Sequence, residues 1–509
     1  MVKHFFVMLI VGSSIVISQS EKSIHQQENE FYSKYFSSYQ KIESAHKIVN
    51  MQKQFRTNEL SKTVFGYLPW WEYLLGYHQN IRYDLLTHIA VFSFEADSMG
   101  VLKSPISWPW NDFLSIARLN KISVIMCVTN FSGKEIHKIL TDAAVKQNLF
   151  NNIKNKIFEN EFNGVNIDFE SLIDADKNVL INDFMQQLNN FLKAFRTNLE
   201  ISFASPIVGY NKWNFTSLAA ACDYLFLMGY DFYGKWSSTT GPSSPLTGGY
   251  LNISKSIDDY YQNVPANKII LGVPYYGNYW RTIIKDSYAA VIPNDTNKSK
   301  NVWVKSPRYR EIFPDYDQRE KMWDDQTQTP WLRWQDTVWN QIWYDNESSL
   351  ELKYDFVISN NFKGIGIWAL GYDNTRNELW NLISRKFSSQ TDVAEKENII
   401  PNTFELLQNY PNPFSAGGGN PSTVISYRLS TAGFVTLKVF DILGREVATL
   451  VNEFKPAGKY YSQFSILPNS RQVLNLPADR QSSQLCSGIY FYKLQSGNSF
   501  QIRKMVLQK

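Results

Sequence analysis

The segment FNGVNIDFESL, residues 162–172, carries two carboxylic acids two positions apart. Because alternate side chains of a β-strand share one face, Asn166, Asp168 and Glu170 are expected to point one way and the apolar residues between them the other. Burying carboxylates costs free energy unless hydrogen bonds or opposite charges compensate, and an uncompensated cost is kept only where the groups have a function. The segment is therefore either a hydrogen-bonded network that only fixes a core or a catalytic acid pair at the end of a strand.

The spacing of Asp168 and Glu170 predicts unequal ionisation. Two neighbouring carboxyl groups do not both ionise easily in a poorly hydrated site, so we expect Asp168 to carry the charge and Glu170 to keep its proton near neutral pH. A protonated carboxylic acid can donate to a leaving oxygen. The motif supplies no second carboxylate as a direct nucleophile, which indicates a reaction in which the substrate provides its own.

Eight short apolar runs alternate with longer helix-compatible stretches. This rhythm is typical of a parallel sheet covered by helices on both faces, and eight units predict an α/β fold of the (β/α)8, or TIM barrel, type. An open doubly wound sheet is the alternative, but no glycine-rich phosphate turn follows the first run. The runs are VFGYLPWW (64–71), HIAVFSF (88–94), SVIMCVTNF (123–131), GVNIDFE (164–170), LEISFASP (199–206), YLFLMGYDF (224–232), IILGVPYYG (269–277) and GIGIWALG (364–371). Residues 278–343 follow the seventh run and predict an insertion that borders the cleft.

The fourth run resembles the signature of glycoside hydrolase family 18, Asp-Gly-x-Asp-x-Asp-x-Glu. Residues 163–170 keep the last Asp and the Glu, while Asn stands at the first two acidic positions. The GVNIDFE core is similar to the branch that contains spore-cortex-lytic N-acetylglucosaminidases. The tetrapeptide Met228-Gly229-Tyr230-Asp231 and Trp368 match further family segments, as do TTGPSSPL and LGVPYYG. The resemblance covers residues 63–385, the predicted barrel.

The resemblance implies substrate-assisted cleavage of β-linked N-acetylglucosamine polymers, with retention and without a cofactor. Glu170 is implied as the general acid, while Asp168 orients the acetamido group and Tyr230 holds its carbonyl oxygen. Asp231 is implied to support sugar hydroxyls or the acid, and Trp368 to form the apolar floor under the cleaved sugar.

Three further residues are candidates for binding sugar. Asn166 shares the face of the acid pair, whereas Trp70 follows the first run and Trp236 follows the sixth. For either tryptophan, packing within a loop or core is an equally good interpretation. The same choice applies to Tyr67, Trp71, Tyr233, Tyr275, Tyr276 and Trp343.

Charge and metal-ligand content exclude several classes. Residues 403–509 carry eleven Lys and Arg against five Asp and Glu, which leaves the remainder of a +4 chain slightly acidic. Because this slightly acidic remainder of the chain has no basic face, we do not expect it to bind nucleic acid. The three cysteines and six histidines lack metal-ligand spacing, so we predict no metal, and Cys127 and Cys222 are expected to be buried thiols.

The ends of the predicted barrel are flanked by polar segments. Residues 1–18 are typical of a secretory signal peptide, with a basic start and a short apolar run, and no other segment has the length of a transmembrane span. Residues 19–62 are expected to form a polar leader or a helix against the main domain. Residues 386–402 are expected to be a linker that Pro401 ends.

Residues 403–509 have a different character, with alternating strands between Gly, Pro and Asn, and they predict a small all-β sandwich. The region resembles the C-terminal sorting domain of the type IX secretion system, in PNPF (411–414), VFDILGREV (439–447) and SGIYFYKL (487–494). The insertion at 466–486 departs from that pattern. The resemblance implies export from a Gram-negative cell, to the medium or the cell surface, with the type IX machinery as partner.

Three functional interpretations remain open from the sequence. The leading one is a secreted hydrolase of peptidoglycan glycan or chitin, and the others are a catalytically silent chitinase-like carbohydrate-binding protein and a surface adhesin. Silent relatives of the family usually lose the terminal Glu of the motif. Retention of Glu170 therefore favours catalysis.

Overall fold

The structure is a computed structural model that describes residues 22–38, 59–210, 212–292, 304–388, 403–409, 412–415, 422–455, 457–465 and 487–508. The chain forms two compact units, Met1–Ser389 and Gln390–Lys509. The predicted signal peptide, Cys486 and nearly all of the predicted linker lie outside the described residues, as does much of the predicted leader.

The first unit contains the predicted barrel. Eight parallel strands follow one another around the sheet, and pairing of the first with the second closes it. The closure confirms the (β/α)8 fold and excludes an open sheet. The strands of this unit are β1 (Thr63–Pro69), β2 (His88–Ala96), β3 (Leu102–Lys103), β4 (Ser123–Asn130), β5 (Gly164–Phe169), β6 (Glu200–Pro206), β7 (Tyr224–Met228), β8 (Ile269–Pro274), β9 (Asn278–Thr282), β10 (Val304–Lys305), β11 (Glu320–Asp324), β12 (Thr329–Gln335), β13 (Trp339–Trp343) and β14 (Gly364–Trp368). All of them except β3 and β9–β13 belong to the closed ring.

Helices connect the strands of the ring and cover its outside, whereas the first two described helices lie at its carboxyl end and the short helix Tyr309–Ile312 lies in the insertion. Polar side chains cap several of them, as Asp142 does when it accepts the first backbone N–H groups of α5. The helices are α1 (Ile24–Ser38), α2 (Trp70–Leu74), α3 (Asn111–Leu119), α4 (Gly133–Thr141), α5 (Ala143–Asn160), α6 (Val179–Lys193), α7 (Phe215–Ala221), α8 (Ile253–Ser256), α9 (Tyr309–Ile312), α10 (Glu347–Ser359) and α11 (Glu378–Phe387). Each helix in the described ranges is too short or too polar to cross a membrane.

The register of β5 depends on a glycine. A Cβ atom at Gly164 would lie 2.0 Å from the carbonyl oxygen of Glu200 on β6, so only glycine allows the two strands to pair this closely. Every residue of β5 is buried. Its apolar side chains pack outward under the helices, which leaves the polar alternate positions for the barrel interior.

The insertion is an antiparallel sheet of five strands in the order β10-β9-β13-β12-β11. Tryptophans form its core, with Trp331 and Trp343 stacked at 5.1 Å between ring centroids. Trp343, one of the aromatic candidates for sugar binding, is fully buried there. The structure therefore assigns this residue to packing.

The second unit is all-β, as predicted, and has its own apolar core. A three-stranded sheet has the order β15-β17-β20 and a five-stranded sheet the order β16-β22-β21-β18-β19. The strands are β15 (Glu405–Leu406), β16 (Phe414–Ser415), β17 (Ser422–Leu429), β18 (Gly433–Phe440), β19 (Glu446–Lys455), β20 (Gly458–Ser465), β21 (Gly488–Ser496) and β22 (Ser499–Gln508).

Candidate active site

The acid pair lies at the carboxyl end of β5. Asp168 is fully buried on the strand, and Glu170 follows the strand with its side chain 9% exposed. Catalytic groups of (β/α)8 barrels stand at this end of the strands. The sequence prediction of a polar ladder that ends at the mouth of the barrel is therefore consistent with the geometry.

Asn166 lies deeper in the ladder, among other polar side chains of the interior. Its Oδ1 accepts a hydrogen bond of 2.8 Å from the Tyr67 hydroxyl, and its Nδ2 donates to Ser202 Oγ at 2.9 Å. These bonds satisfy a buried amide and hold the floor of the site. Its predicted contact with substrate stays a prediction.

The imidazole ring of His25, at the start of α1, contacts all four of the residues predicted at the centre of the site. Its Nδ1 lies 3.1 Å from Asp168 Oδ2 and 2.8 Å from Glu170 Oε1. Its Nε2 lies 2.9 Å from the Tyr230 hydroxyl, and its ring centroid lies 3.6 Å from that of Trp368. Asp168, Glu170, Tyr230 and Trp368 therefore surround a single small volume.

The electrostatics of this volume follow from burial and from the acid pair. Burial, together with the neighbouring Asp168, raises the pKa of Glu170 above its ordinary value, although His25 opposes the shift. Burial works against a charge on His25, yet Asp168 and Glu170 outweigh it and raise its pKa to about 10. Burial and Asp168 also raise the pKa of Tyr230, which therefore remains a hydroxyl donor.

His25, Asp168 and Glu170 also offer three potential metal-ligand atoms within 4.8 Å of one another. A neutral imidazole binds metal ions, whereas a protonated one has no lone pair to offer. In this arrangement, the two carboxyl groups raise the pKa of His25 to about 10, and the ring contacts both of them as one half of an ion pair.

Asp231 borders the same volume from the loop after β7. Its Oδ1 accepts a hydrogen bond from the Tyr276 hydroxyl, and its Oδ2 accepts one of 3.3 Å from the backbone N–H of Ile24. Its backbone is left-handed, with φ of 63°, as is that of Ser171 directly after Glu170. Non-glycine residues in this region are strained and often stand at functional sites.

The two tryptophan candidates differ in position. Trp70 is buried, and its Nε1 donates a 2.9 Å hydrogen bond to Asn29 of α1. Trp236 is half-buried in the loop after β7, where its ring packs against Gly234. The binding of sugar by either residue remains a prediction.

Several residues at the site were not found from the sequence. His25 lies in residues 19–62, which are expected from the sequence to form a polar leader or a helix against the main domain, and Arg308 lies inside the insertion, between β10 and α9. The only signal for α1 was a set of aromatic residues at helical spacing, Phe31, Tyr32, Tyr35 and Phe36. That pattern indicates a docking face but not the place where it docks.

The chain is similar in sequence to several known proteins. A cortical fragment-lytic enzyme of Bacillus subtilis is 25% identical over 60% of this chain and 68% of its own. A putative sporulation-specific glycosylase, YdhD, of the same organism is 28% identical over 50% of this chain, which spans 58% of the length of that relative. Human di-N-acetylchitobiase is 22% identical over 55% of this chain and 80% of its own.

Solved structures share the fold. The spore cortex-lytic enzyme SleL of Bacillus megaterium superposes with a TM-score of 0.54 at 22% identity, over 66% of this chain and 76% of its own. A chitinase of Chromobacterium violaceum gives 0.54 at 20% identity, over 64% and 98%. The sequence profile of the glycosyl hydrolases family 18 matches residues 63–373. The chain therefore belongs to glycosyl hydrolases family 18.

Proposed function

We propose that this protein is a retaining glycosidase that cleaves β-1,4-linked N-acetylglucosamine polymers by substrate-assisted catalysis. The observation that carries the proposal is the set of contacts around His25. One flat ring touches an acid pair, a tyrosine hydroxyl and an indole face at the carboxyl end of the barrel. A pyranose ring in that volume would meet an acid, an anion, a hydrogen-bond donor and an apolar floor.

In the first step, Glu170 donates its proton to the glycosidic oxygen as the bond from this oxygen to the anomeric carbon breaks. The carbonyl oxygen of the 2-acetamido group forms a bond to the same carbon and gives an oxazolinium ion. In the second step, Glu170 takes a proton from water, and the water oxygen attacks the anomeric carbon. The bond from this carbon to the acetamido oxygen breaks, which opens the oxazolinium ring and gives a product with retained configuration. The raised pKa of Glu170 supports its protonated starting state.

Asp168 and Tyr230 are proposed to hold the acetamido group. Asp168 Oδ1 is buried and has no hydrogen-bond partner among the described residues, so it can accept a bond from the acetamido N–H. The carboxylate would also stabilise the positive charge that develops on the oxazolinium ring. Tyr230, as a neutral hydroxyl, would donate to the carbonyl oxygen and align it for attack.

The substrate is proposed to be the glycan strand of peptidoglycan or chitin, which share the β-1,4-linked N-acetylglucosamine unit. The names of the relatives, cortical fragment-lytic enzyme and di-N-acetylchitobiase, support both sources. The GVNIDFE form of the motif favours peptidoglycan. Analysis of the products from chitin oligomers and from peptidoglycan, incubated side by side, separates the two.

Export by the type IX route is a separate proposal, which rests on the sequence of residues 1–18 and of the second unit. The second unit is proposed to direct sorting and to take no part in catalysis. Deletion of residues 403–509 in the native host should leave the protein inside the cell envelope. Normal export of the shortened chain would contradict the proposal.

The proposed reaction is tested with Glu170→Gln in the full chain. Because α1 lies over the site, the change is made in the wild type and together with His25→Glu. Loss of the general acid should lower the rate of hydrolysis of chitotriose by about 10²–10⁴-fold. A thiazoline analogue of N-acetylglucosamine should inhibit the wild type and His25→Glu, which both keep Glu170.

An unchanged rate in Glu170→Gln would contradict the role of this residue. If every variant binds chitotriose but none hydrolyses chitotriose, chitin or peptidoglycan, the carbohydrate-binding or adhesin alternative would instead be favoured. Hydrolysis that the thiazoline does not inhibit would argue against participation of the acetamido group.

A further inference from the structure

The first described helix, α1, lies in the mouth of the barrel. His25, close to its N-terminal end, is fully buried between the acid pair and Trp368. The proposed function requires the cleaved sugar in the same volume. A sugar and the His25 ring cannot both stand on the face of Trp368.

The next turn of α1 occupies a second proposed sugar contact. Asn29 accepts a hydrogen bond of 2.9 Å from the Trp70 indole and donates one of 2.9 Å to Glu95 at the end of β2. Both Asn29 and Trp70 are buried. The helix therefore covers the candidate platform at the end of β1 as well as the acid pair.

A charged network holds the middle of α1. The Arg308 guanidinium lies between the rings of Tyr32 and Tyr372, at 4.8 and 4.9 Å from their centroids, and donates to the Tyr32 hydroxyl. Glu28 accepts a hydrogen bond from the Tyr372 hydroxyl and lies 3.9 Å from Arg308. Arg308 comes from the segment between β10 and α9, inside the insertion, and Tyr372 comes from the loop after β14.

Aromatic stacking holds the distal half of α1. The Tyr32 ring lies nearly parallel to that of Trp71, with 5.3 Å between centroids, and Phe36 packs edge-on against Trp70 at 5.5 Å. The contacts of α1 extend along three of its turns, and their partners lie around the mouth of the barrel.

We propose that α1 is an intramolecular inhibitor that holds His25 in the position of the cleaved sugar, so that substrate and helix compete for the site. This inference rests on the proposed function and deepens it, because it assigns a regulatory ligand to the same site. The chain with α1 docked does not hydrolyse, and only the fraction with α1 released does.

The chemistry of the ring indicates why histidine suits this position. The imidazolium is a flat five-membered cation that meets Asp168, Tyr230 and the indole of Trp368. The proposed oxazolinium intermediate is also a flat five-membered ring with a positive charge, and it would make the same three contacts. The site is complementary to charged species of this class.

The experiment compares His25→Glu with the wild type in the full chain. A third carboxylate beside Asp168 and Glu170 repels the helix and breaks the buried ion pair, so kcat/KM for chitotriose should rise at least about tenfold. His25→Ala, which leaves the remaining contacts of the helix, should give a smaller rise. Lys34→Glu is the matched control, because Lys34 is exposed on the same helix, and its activity should stay at the wild-type level.

Equal activity of His25→Glu and the wild type would overturn the inference and leave the proposed function intact. Hydrolysis absent from both chains, on chitin oligomers and on peptidoglycan, would instead count against the proposed function. The two failures are therefore distinct.

A second measurement does not depend on turnover. In Glu170→Gln, hydrogen exchange of the backbone amides of residues 24–38 is followed with and without chitotriose, at concentrations that saturate the quenching of tryptophan fluorescence. Competition predicts faster exchange of α1 when the sugar is bound. Unchanged protection of α1 at saturation would overturn the inference, whatever the activity of the other variants.

Discussion

Two regions of the chain meet at the candidate active site, and they are held there in different ways. Asp168 and Trp368 stand on strands of a closed sheet, and Tyr230 follows another strand by two residues. The backbone pairing of the barrel fixes their positions. By contrast, His25 reaches the site from a helix that is kept there by side-chain contacts with Trp70, Trp71 and Arg308.

This difference distinguishes the proposed catalytic residues, which the barrel holds, from their proposed regulator, α1. To move Asp168, the barrel must lose strand pairing and core packing, which are global events. To move His25, the chain has only to exchange the contacts of one helix for contacts with substrate or water. A rigid site with a dissociable occupant is suited to competition, and substitutions on either side of this contrast test it.

After Glu170→Gln, the largest effect is expected for Asp168→Asn, on the rigid side. Loss of the charge that faces the developing oxazolinium should lower kcat by about 10²–10³-fold. Asp174→Asn is the matched control, because Asp174 lies in the loop after the same strand and pairs with Lys177 and Lys212 at its surface. The kcat of Asp168→Asn and of Asp174→Asn is measured by steady-state kinetics, with each change made in His25→Glu. Retention of more than half the parent kcat in Asp168→Asn would refute the proposed role.

Tyr230→Phe should have the next largest effect, since it removes one hydroxyl and keeps the ring. A hydrogen bond to a group that gains charge in the transition state is worth a factor of about 10–100 in rate. Tyr224→Phe provides the control, because Tyr224 is equally buried at the opposite end of β7. Similar losses in the two variants would indicate a packing effect and not a role in catalysis.

The rigid side of the site was predictable from the sequence because strand periodicity and barrel closure carry the information. Alternation placed Asp168 and Glu170 on one face of a run, and eight runs implied a ring whose carboxyl ends meet. Tyr230 and Trp368 came from the family resemblance, which depends on those same strand ends. Trp343 shows where the pattern fails, since the sequence of an insertion does not reveal which aromatic side chains form its core.

The place where the helix docks was not predictable in the same way. Residues 24–38 show aromatic spacing that fits a helix, but no local rule states which distant surface the aromatic face will cover. The partners of α1 come from the ends of β1 and β5 and from residues near 308 and 372, which only the folded barrel brings together. Competing docking surfaces of similar apolar character cannot be ranked from one sequence.

Tyr32→Ala weakens α1 without a change at the catalytic residues, and a smaller effect is expected. The variant loses the stack on Trp71 and the acceptor for Arg308, so the released fraction and kcat/KM should rise about tenfold. Tyr35→Ala is the control on the more exposed side of the same helix. A decrease in kcat/KM for Tyr32→Ala would show that α1 supports the active barrel, which is the opposite of inhibition.

The smallest effect is a dependence of docking on pH, because it alters the charge of the contact but not the contact itself. Docked His25 has its pKa raised to about 10, from an ordinary 6.5, by Asp168 and Glu170 against the effect of burial. Burial likewise raises the pKa of Glu28 to about 7, although Arg308 opposes it. At both groups the docked state binds more protons than the released one, so docking is strongest at low pH. The contribution of His25 is complete below about 6.5 and is lost as pH rises through about 10.

The ratio of kcat/KM of the wild type to that of His25→Glu isolates this effect, because the pH dependence of the barrel residues is common to both chains. The ratio should increase towards one between pH 7 and 9. The increase should be less than about tenfold per pH unit, because Glu28 has largely lost its extra proton above about pH 7 and the proton on His25 then dominates. The groups that face His25 from the barrel and from α1 are Asp168, Glu170, Tyr230, Asp231, Tyr67 and Glu28. The carboxylates among them favour a cationic ring, so a ratio that falls as pH rises would mean that His25 docks as a neutral imidazole and that its contact with the acid pair is not an ion pair.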